Sequence, residues 1–346
     1  MKRASLSVLL VLCTGMALAQ KSDPVSRLLR GISVGNPIIY RGLAVFPLSG
    51  QSASRLNGCR TLSQAMDRGY ITVSEKDGGE VNRLFVENSG PSLVFLMAGE
   101  LLAGCKQDRM VGDDCLLPPR SGRIPLTAYC VEHGRWTEQG HTFKAVGAAV
   151  QPGMRKVAKE SRDQHAVWGA VASQYQAQSV PMSATGTYRS VVDDKEVARK
   201  REAYVERFAG VPSLGRGVCG CAVAIGGRIV CVDVVATPEL FSALWPALAA
   251  SYAMDAMGSD AGRATVGRSD IADFLRDAAR CGMDEARTDG VGTAYEIRSR
   301  ELYGSALVYR GDVVHCDLFP DERAGGGQDE GGAPKLQYRR EHLRER

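Results

Sequence analysis

The sequence lacks the spacings on which most protein metal sites depend. It has five histidines, with no H-x-H or H-E-x-x-H among them, and no two cysteines form a C-x-x-C pair. No metal centre is expected, and no cofactor is implied. "GVCGCAVAIGG" is glycine-rich but lacks G-x-G-x-x-G spacing ahead of a helix, and no G-x-S-x-G elbow occurs. Past the first nineteen residues, no apolar run reaches the roughly 18 residues of a membrane-spanning helix, so stable membrane insertion is not expected. Charge of one sign is also scarce. The 43 Lys and Arg against 39 Asp and Glu leave +4, which falls by two if Lys2 and Arg3 are removed with a leader. That balance gives no electrostatic argument for nucleic acid or an anionic membrane as partner.

A leader is what the chain has first. Lys2 and Arg3 precede the apolar run "ASLSVLLVLCTGMALA", which is too short to span a bilayer and ends in the small-x-small pattern Ala17-Leu18-Ala19. Residues 1–19 therefore read as a secretory signal peptide cut after Ala19, and the protein as exported, periplasmic or extracellular. Cys13 follows Leu12, where a lipoprotein signal needs a small residue, which argues against lipidation. Nine cysteines remain after the cut. Export permits disulfides, an odd number leaves at least one thiol over, and Cys105 and Cys115 flank a turn that a bridge could close.

Residues 20–150 read as β-rich. "PIIYRGLAVFPLSG" and "YITVSEKDGGEVNRLFVEN" alternate apolar and polar side chains, with Asp77-Gly78-Gly79 as a hairpin turn. "PSLVFLMAGELLAG" is apolar on both faces, as in a strand between two layers. Only "TLSQAMDRG" looks helical there. After about residue 150, "MRKVAKESRDQHAVWGAVASQYQAQ" and "DDKEVARKREAYVERFAG" read as polar-faced helices. "GCAVAIGGRIVCVDVVA" is a hairpin turning at Gly226-Gly227. "TPELFSALWPALAASYAMDAM" is a helix with Thr237 as N-cap and Pro238 at its first position. "RSDIADFLRDAARCG" is a helix ending at Gly282, and two or three strands close the fold. The class is α+β, a β-sandwich-like N-terminal part packed on an α+β part over 151–320. Residues 321–346 are expected to form a disordered, Gly-rich charged tail.

The stretch that calls for chemistry is "YCVEHGRW". On a strand, Ile124, Leu126, Ala128, Cys130 and Glu132 share one face, and Val94, Leu96, Ala98 and Glu100 do the same upstream. Two apolar faces thus end in carboxylates, which need partners. "CKQDR" and Arg135 supply them. Glu100, Gln107, Arg109, Glu132 and Arg135 make a polar constellation on an apolar floor, the usual composition of a small-molecule site. "GELLAGCKQDR", "CVEHGRW" and "QHAVW" together resemble the motif series of the ADP-ribosylglycohydrolase- and rhodanese-phosphatase-associated protein domain family, over about residues 35–320. The later "VDVVATPELFSALWPALAASY" fits that family's strand-then-helix with a buried Trp. The resemblance marks Glu100, Lys106, Gln107, Arg109, Cys130, Glu132, Arg135, Trp136, Gln164 and Trp168, and Cys105 stands where the family has a second glycine.

Two functions remain open at this level. In the first, the protein binds and hydrolyses, or only binds, a small polar or phosphorylated ligand such as a nucleotide or ADP-ribose-like sugar phosphate. Glu100 and Glu132 would then be the acid/base pair, Arg109 and Arg135 the anion holders, Trp136 a stacking plane, and Gln164 and Trp168 a closing helix face, with Lys106, Gln107 and Cys130 also lining the site. In the second, it is a non-catalytic structural or protein-interaction module whose Glu/Arg motif is an internal ion-pair network. If the leader is cut as read, N-terminal sequencing of the exported chain begins at Gln20.

Overall fold

The computed structural model describes residues 23–76, 80–259 and 266–321. The leader, the Asp77-Gly78-Gly79 turn and the tail from residue 322 lie outside the described residues. A nine-stranded antiparallel sheet runs in the order Ser33–Val34, Leu43–Ser49, Val218–Ile225, Arg228–Val235, Asp312–Pro320, Leu302–Tyr309, Thr293–Arg298 and Gly282–Ala286, with Ile38–Tyr40 also paired to Leu43–Ser49. Gly226 and Gly227 turn its central hairpin with φ of 57° and 82°. Two positive φ values suit the tight turn that matches strand twist. Every residue of Val218–Ile225 is buried, because both faces are covered. Helices Pro24–Gly31 and Arg268–Ala278 contribute Leu29 and Ile271 to the core on one side. Helix Pro238–Met257 contributes Phe241, Trp245 and Leu248 on the other. The hydroxyl of Thr237 accepts from Leu240 N at that helix's start.

A six-stranded sheet follows the order Gln139–Ala149, Glu100–Cys105, Arg109–Val111, Gly122–Cys130, Arg83–Asn88 and Ile71–Glu75. A three-stranded sheet of Cys115–Leu117, Val94–Leu96 and Arg60–Thr61 lies against it, and Leu84, Val86, Leu96, Leu117 and Leu126 share one core. The fold is α+β. Among the described residues no helix is long and apolar enough to cross a membrane.

Four expectations differ in detail. "PSLVFLMAGELLAG" is not one strand: the chain leaves the small sheet after Leu96 and enters the large one at Glu100, turning at Gly99 with φ 91°. The first long helix is two, Pro152–Ser161 and Gln164–Ala177, split where Arg162 takes a left-handed φ of 51° and Asp163 caps Ala166 N. Helix Arg268–Ala278 stops short of Gly282, which opens an edge strand instead. Finally, Leu43–Ser49 pairs with Val218–Ile225, so one sheet takes strands from both sides of residue 150. The nine cysteines are free. Cys105 and Cys115 sit in different sheets rather than bridging a turn.

The layers are tied by charges with almost no access to solvent. Arg155 grips Asp233 with both terminal nitrogens, at 2.7 and 2.8 Å, and the Tyr252 hydroxyl donates to the same carboxylate at 2.5 Å. His315 lies 2.7 Å from Asp114 and 3.2 Å from Asp233. Lys159 donates to Asp317 at 2.6 Å and to Ser305 at 2.8 Å. Burial alone would discharge the imidazole, but Asp114 and Asp233 outweigh it and lift His315 to about 9. Three cations therefore face three carboxylates, so the cluster is close to neutral. Arg155→Ala, which strands Asp233, is expected to lower unfolding stability by about 3–5 kcal/mol. Urea denaturation measures this, and a loss under about 1 kcal/mol would show that the pair does not hold the layers.

Candidate functional site

The motif residues form a brace, and most of their hydrogen-bonding capacity is already used. Glu132 accepts from Asp108 N at 3.0 Å and from Arg135 Nε at 2.9 Å, and the Thr185 side chain bonds to it as well. Burial pushes this carboxyl up, but the bonds from Arg135 and Asp108 N prevail and hold it below its ordinary value. Arg135 also donates to the carbonyls of Cys105 at 2.7 Å and Thr137 at 3.1 Å, and reaches Asp108 at 3.3 Å. Each nitrogen of that guanidinium has an internal acceptor. The residue that supplies the Cys105 carbonyl holds a φ of 46°. A glycine adopts such a conformation freely, whereas a side-chain-bearing residue is strained by roughly 1–2 kcal/mol.

Arg109 is fully buried; it donates to Gln107 at 3.0 Å and to the Cys130 sulfur, and lies 3.6 Å from Glu75. Cys130 is equally buried, and its thiol is pushed up to about 11 by burial despite Arg109. Such a thiol is a poor nucleophile. The Gln164 amide is engaged within the protein: it pairs with both the N–H and the C=O of Cys130 at 2.8 Å, like an added peptide at the strand's end. Lys106 stands over the half-exposed Trp136 ring at 5.1 Å.

Glu100 and Glu132 share no partner. Glu100 accepts from Met97 N at 2.7 Å and faces Asp114 and His315 in the interior cluster. Strand alternation put it on one face with Val94 and Leu96, but the turn at Gly99 carries it into another sheet. The pair expected to act as acid and base is thus divided between two networks.

What the brace supports is a cleft of about 350 Å³ between helix Gln164–Ala177 and the 182–186 loop, lined by His133, His165, Trp168, Tyr175, Met182 and Thr185 among others. The Trp168 ring meets His133 edge-on at 4.4 Å and His165 at 5.4 Å. Its indole N–H is buried without an acceptor among the described residues. The loop is held by His133 N and Gly134 N, which donate to Thr185 O at 3.1 and 2.8 Å, and by Thr187, whose hydroxyl donates to Asp108 at 3.0 Å. A Cβ on Gly134 would lie 3.1 Å from the Thr185 backbone, so close approach requires glycine there. Sequence reasoning found Trp168 and the brace, but missed His133, Gly134, His165 and the loop as cleft walls. The available signal was His165 three residues before Trp168, which places both on one side of a helix. It also missed the interior cluster. No group of three His, Cys, Asp or Glu among the described residues is arranged to hold a metal ion.

Burial raises Glu100 to about 8 from an unfolded value of 4.5. Its contribution to stability is therefore full below the unfolded value and is lost as pH rises through the folded one. Glu100→Gln is expected to gain on the order of 2–3 kcal/mol near pH 7 and to flatten the stability profile between about pH 5 and 8. Chemical denaturation across that range is the check; a variant less stable than wild type throughout would contradict the protonated assignment.

Comparison with curated proteins returned no match, and neither did comparison with solved structures. A family model does match. It covers residues 31–319, which include the brace, the cleft and the interior cluster, and so the chain belongs to the ARG and Rhodanese-Phosphatase-superfamily-associated Protein domain family.

Proposed function

We propose that the protein binds a small ligand in the cleft beside Trp168, and that the Glu132–Arg135–Asp108 brace shapes this cleft rather than touching the ligand. The observation that carries this is the cleft's wall: the Trp168 ring, met edge-on by His133 at 4.4 Å and by His165 at 5.4 Å, borders about 350 Å³ of open space. That volume lies within the range of small-molecule sites. In this reading neither Arg109 nor Arg135 holds an anion. Arg109 is buried, and Arg135 is fully engaged. Binding is favoured over hydrolysis by a carboxylate pair, since Glu100 and Glu132 occupy separate networks. The alternative, a non-catalytic structural or protein-interaction module, is supported by the same internal matching of charge.

Export after cleavage behind Ala19 belongs to the proposal too. An oxidising compartment threatens free thiols, and burial is what would protect them: Cys59 and Cys281 are half-buried and the other seven are buried.

A thermal-shift panel of nucleosides, nucleotides, sugar phosphates and NAD separates the readings. A ligand at about 100 times its Kd adds roughly 2.7 kcal/mol. Trp168→Ala and Gly134→Ala are expected to remove the ligand shift, the first with little change in the unliganded melting temperature. Arg135→Ala is expected to melt early, by about 3 kcal/mol, because Glu132 and Asp108 lose their partner. No shift from any compound, with Arg135→Ala still melting early, would favour the structural module.

A further inference from the structure

The cleft's walls are specific about charge. Its thirteen lining residues, which run over 133–134, 165–175 and 182–186, include no Asp, Glu, Lys or Arg. It therefore offers no fixed charge to a phosphate or an ammonium, in a protein where charged side chains make up 24% of the sequence. The polar groups still available are also few. The Tyr175 hydroxyl is engaged by Thr187 O at 2.6 Å and by Ser183 at 2.9 Å. Thr185 is bonded to Glu132. What remains, on His133 and His165, is a pair of imidazoles whose nitrogens can donate or accept. A polyol placed here would bury more hydroxyls than the walls can satisfy, and each unmatched one is costly.

Shape narrows the choice further. Along helix Gln164–Ala177, Gly169 and Ala172 line the cleft between the larger Trp168 and Tyr175. A Cβ on Gly169 would meet nothing within 4 Å. Small residues beside aromatic ones leave room next to the rings. Mostly apolar, walled by aromatic rings and provided with adaptable imidazole nitrogens, the space suits an aromatic ring with polar atoms on its edge.

We propose, resting on the cleft assignment above, that the ligand is recognised through an uncharged heteroaromatic ring of the nucleobase or nicotinamide kind. The ring occupies the recess over Gly169, and its edge atoms meet the imidazole nitrogens of His133 and His165. Any sugar or phosphate it carries stays outside the recess and adds little to the binding.

The test is calorimetric titration of the full chain with adenosine, nicotinamide, ribose 5-phosphate and inorganic phosphate at low and high salt. Gly169→Leu serves as the blocked variant. Leucine fills the open space and is a better helix former than glycine, so the variant is expected to melt no lower than wild type. Adenosine or nicotinamide should bind, with little dependence on salt because no ion pair forms, and should lose at least about tenfold in affinity in Gly169→Leu. Ribose 5-phosphate binding that Gly169→Leu abolishes would overturn the ligand class while keeping the cleft. Ring binding that is undiminished in Gly169→Leu would overturn the cleft itself. Absence of binding by all four probes would overturn both.

Discussion

The bidentate grip of Arg155 on Asp233 fixes where everything else can go. Arg155 belongs to the helix Pro152–Ser161, and Asp233 to a central strand of the nine-stranded sheet. Removing both charges from water is expensive, and only complete matching makes the arrangement tolerable. Tyr252, His315 and Asp114 supply part of the matching from three further elements, and Lys159, Asp317 and Ser305 continue it. Even the turn between the two smaller sheets depends on it: a Cβ on Gly99 would come within 2.7 Å of the Arg155 side chain. With that helix locked, the next one starts one residue after Asp163, and Trp168 is delivered to the cleft.

Two charge clusters therefore do different mechanical work. The interior one joins layers. The Glu132–Arg135–Asp108 brace lies nearer the surface, and through Thr185 and Thr187 it holds a loop against a strand end. Neither cluster leaves a charged group free for a ligand, and the cleft beside them is lined by neutral groups. Charge in this protein holds the walls in place, and the side chains that face the cleft carry no fixed charge.

Local chemistry was readable in advance. Gly226-Gly227 demanded a tight hairpin, and Thr237-Pro238 announced a helix that starts where expected. The motif stretches marked a region rich in internal ion pairs, because a carboxylate at the end of an apolar face must find a partner nearby. Which partner it finds is another matter. Alternation was extended past the strand ends to reach Glu100 and Glu132, but the chain turns at Gly99 and the later strand stops at Cys130, so the two end in separate networks. The interior cluster was unreadable for a related reason. Arg155 and Lys159 looked like the polar face of an ordinary surface helix, and their partners lie at Asp233 and Asp317, far along the chain. The sheet order was hidden likewise, because nothing near residue 43 foretells pairing with residue 225.

That last pairing sets the order of events as the chain is made. Leu43–Ser49 is buried along nearly its whole length, but its neighbour Val218–Ile225 is synthesised much later, and Asp312–Pro320, which completes the sheet's centre, later still. Contacts so distant in sequence slow folding, because a long loop must close before any of them forms. Until then an apolar strand edge stays uncovered and prone to wrong pairing. The centre of the sheet can therefore close only once its last strand, Asp312–Pro320, is at hand.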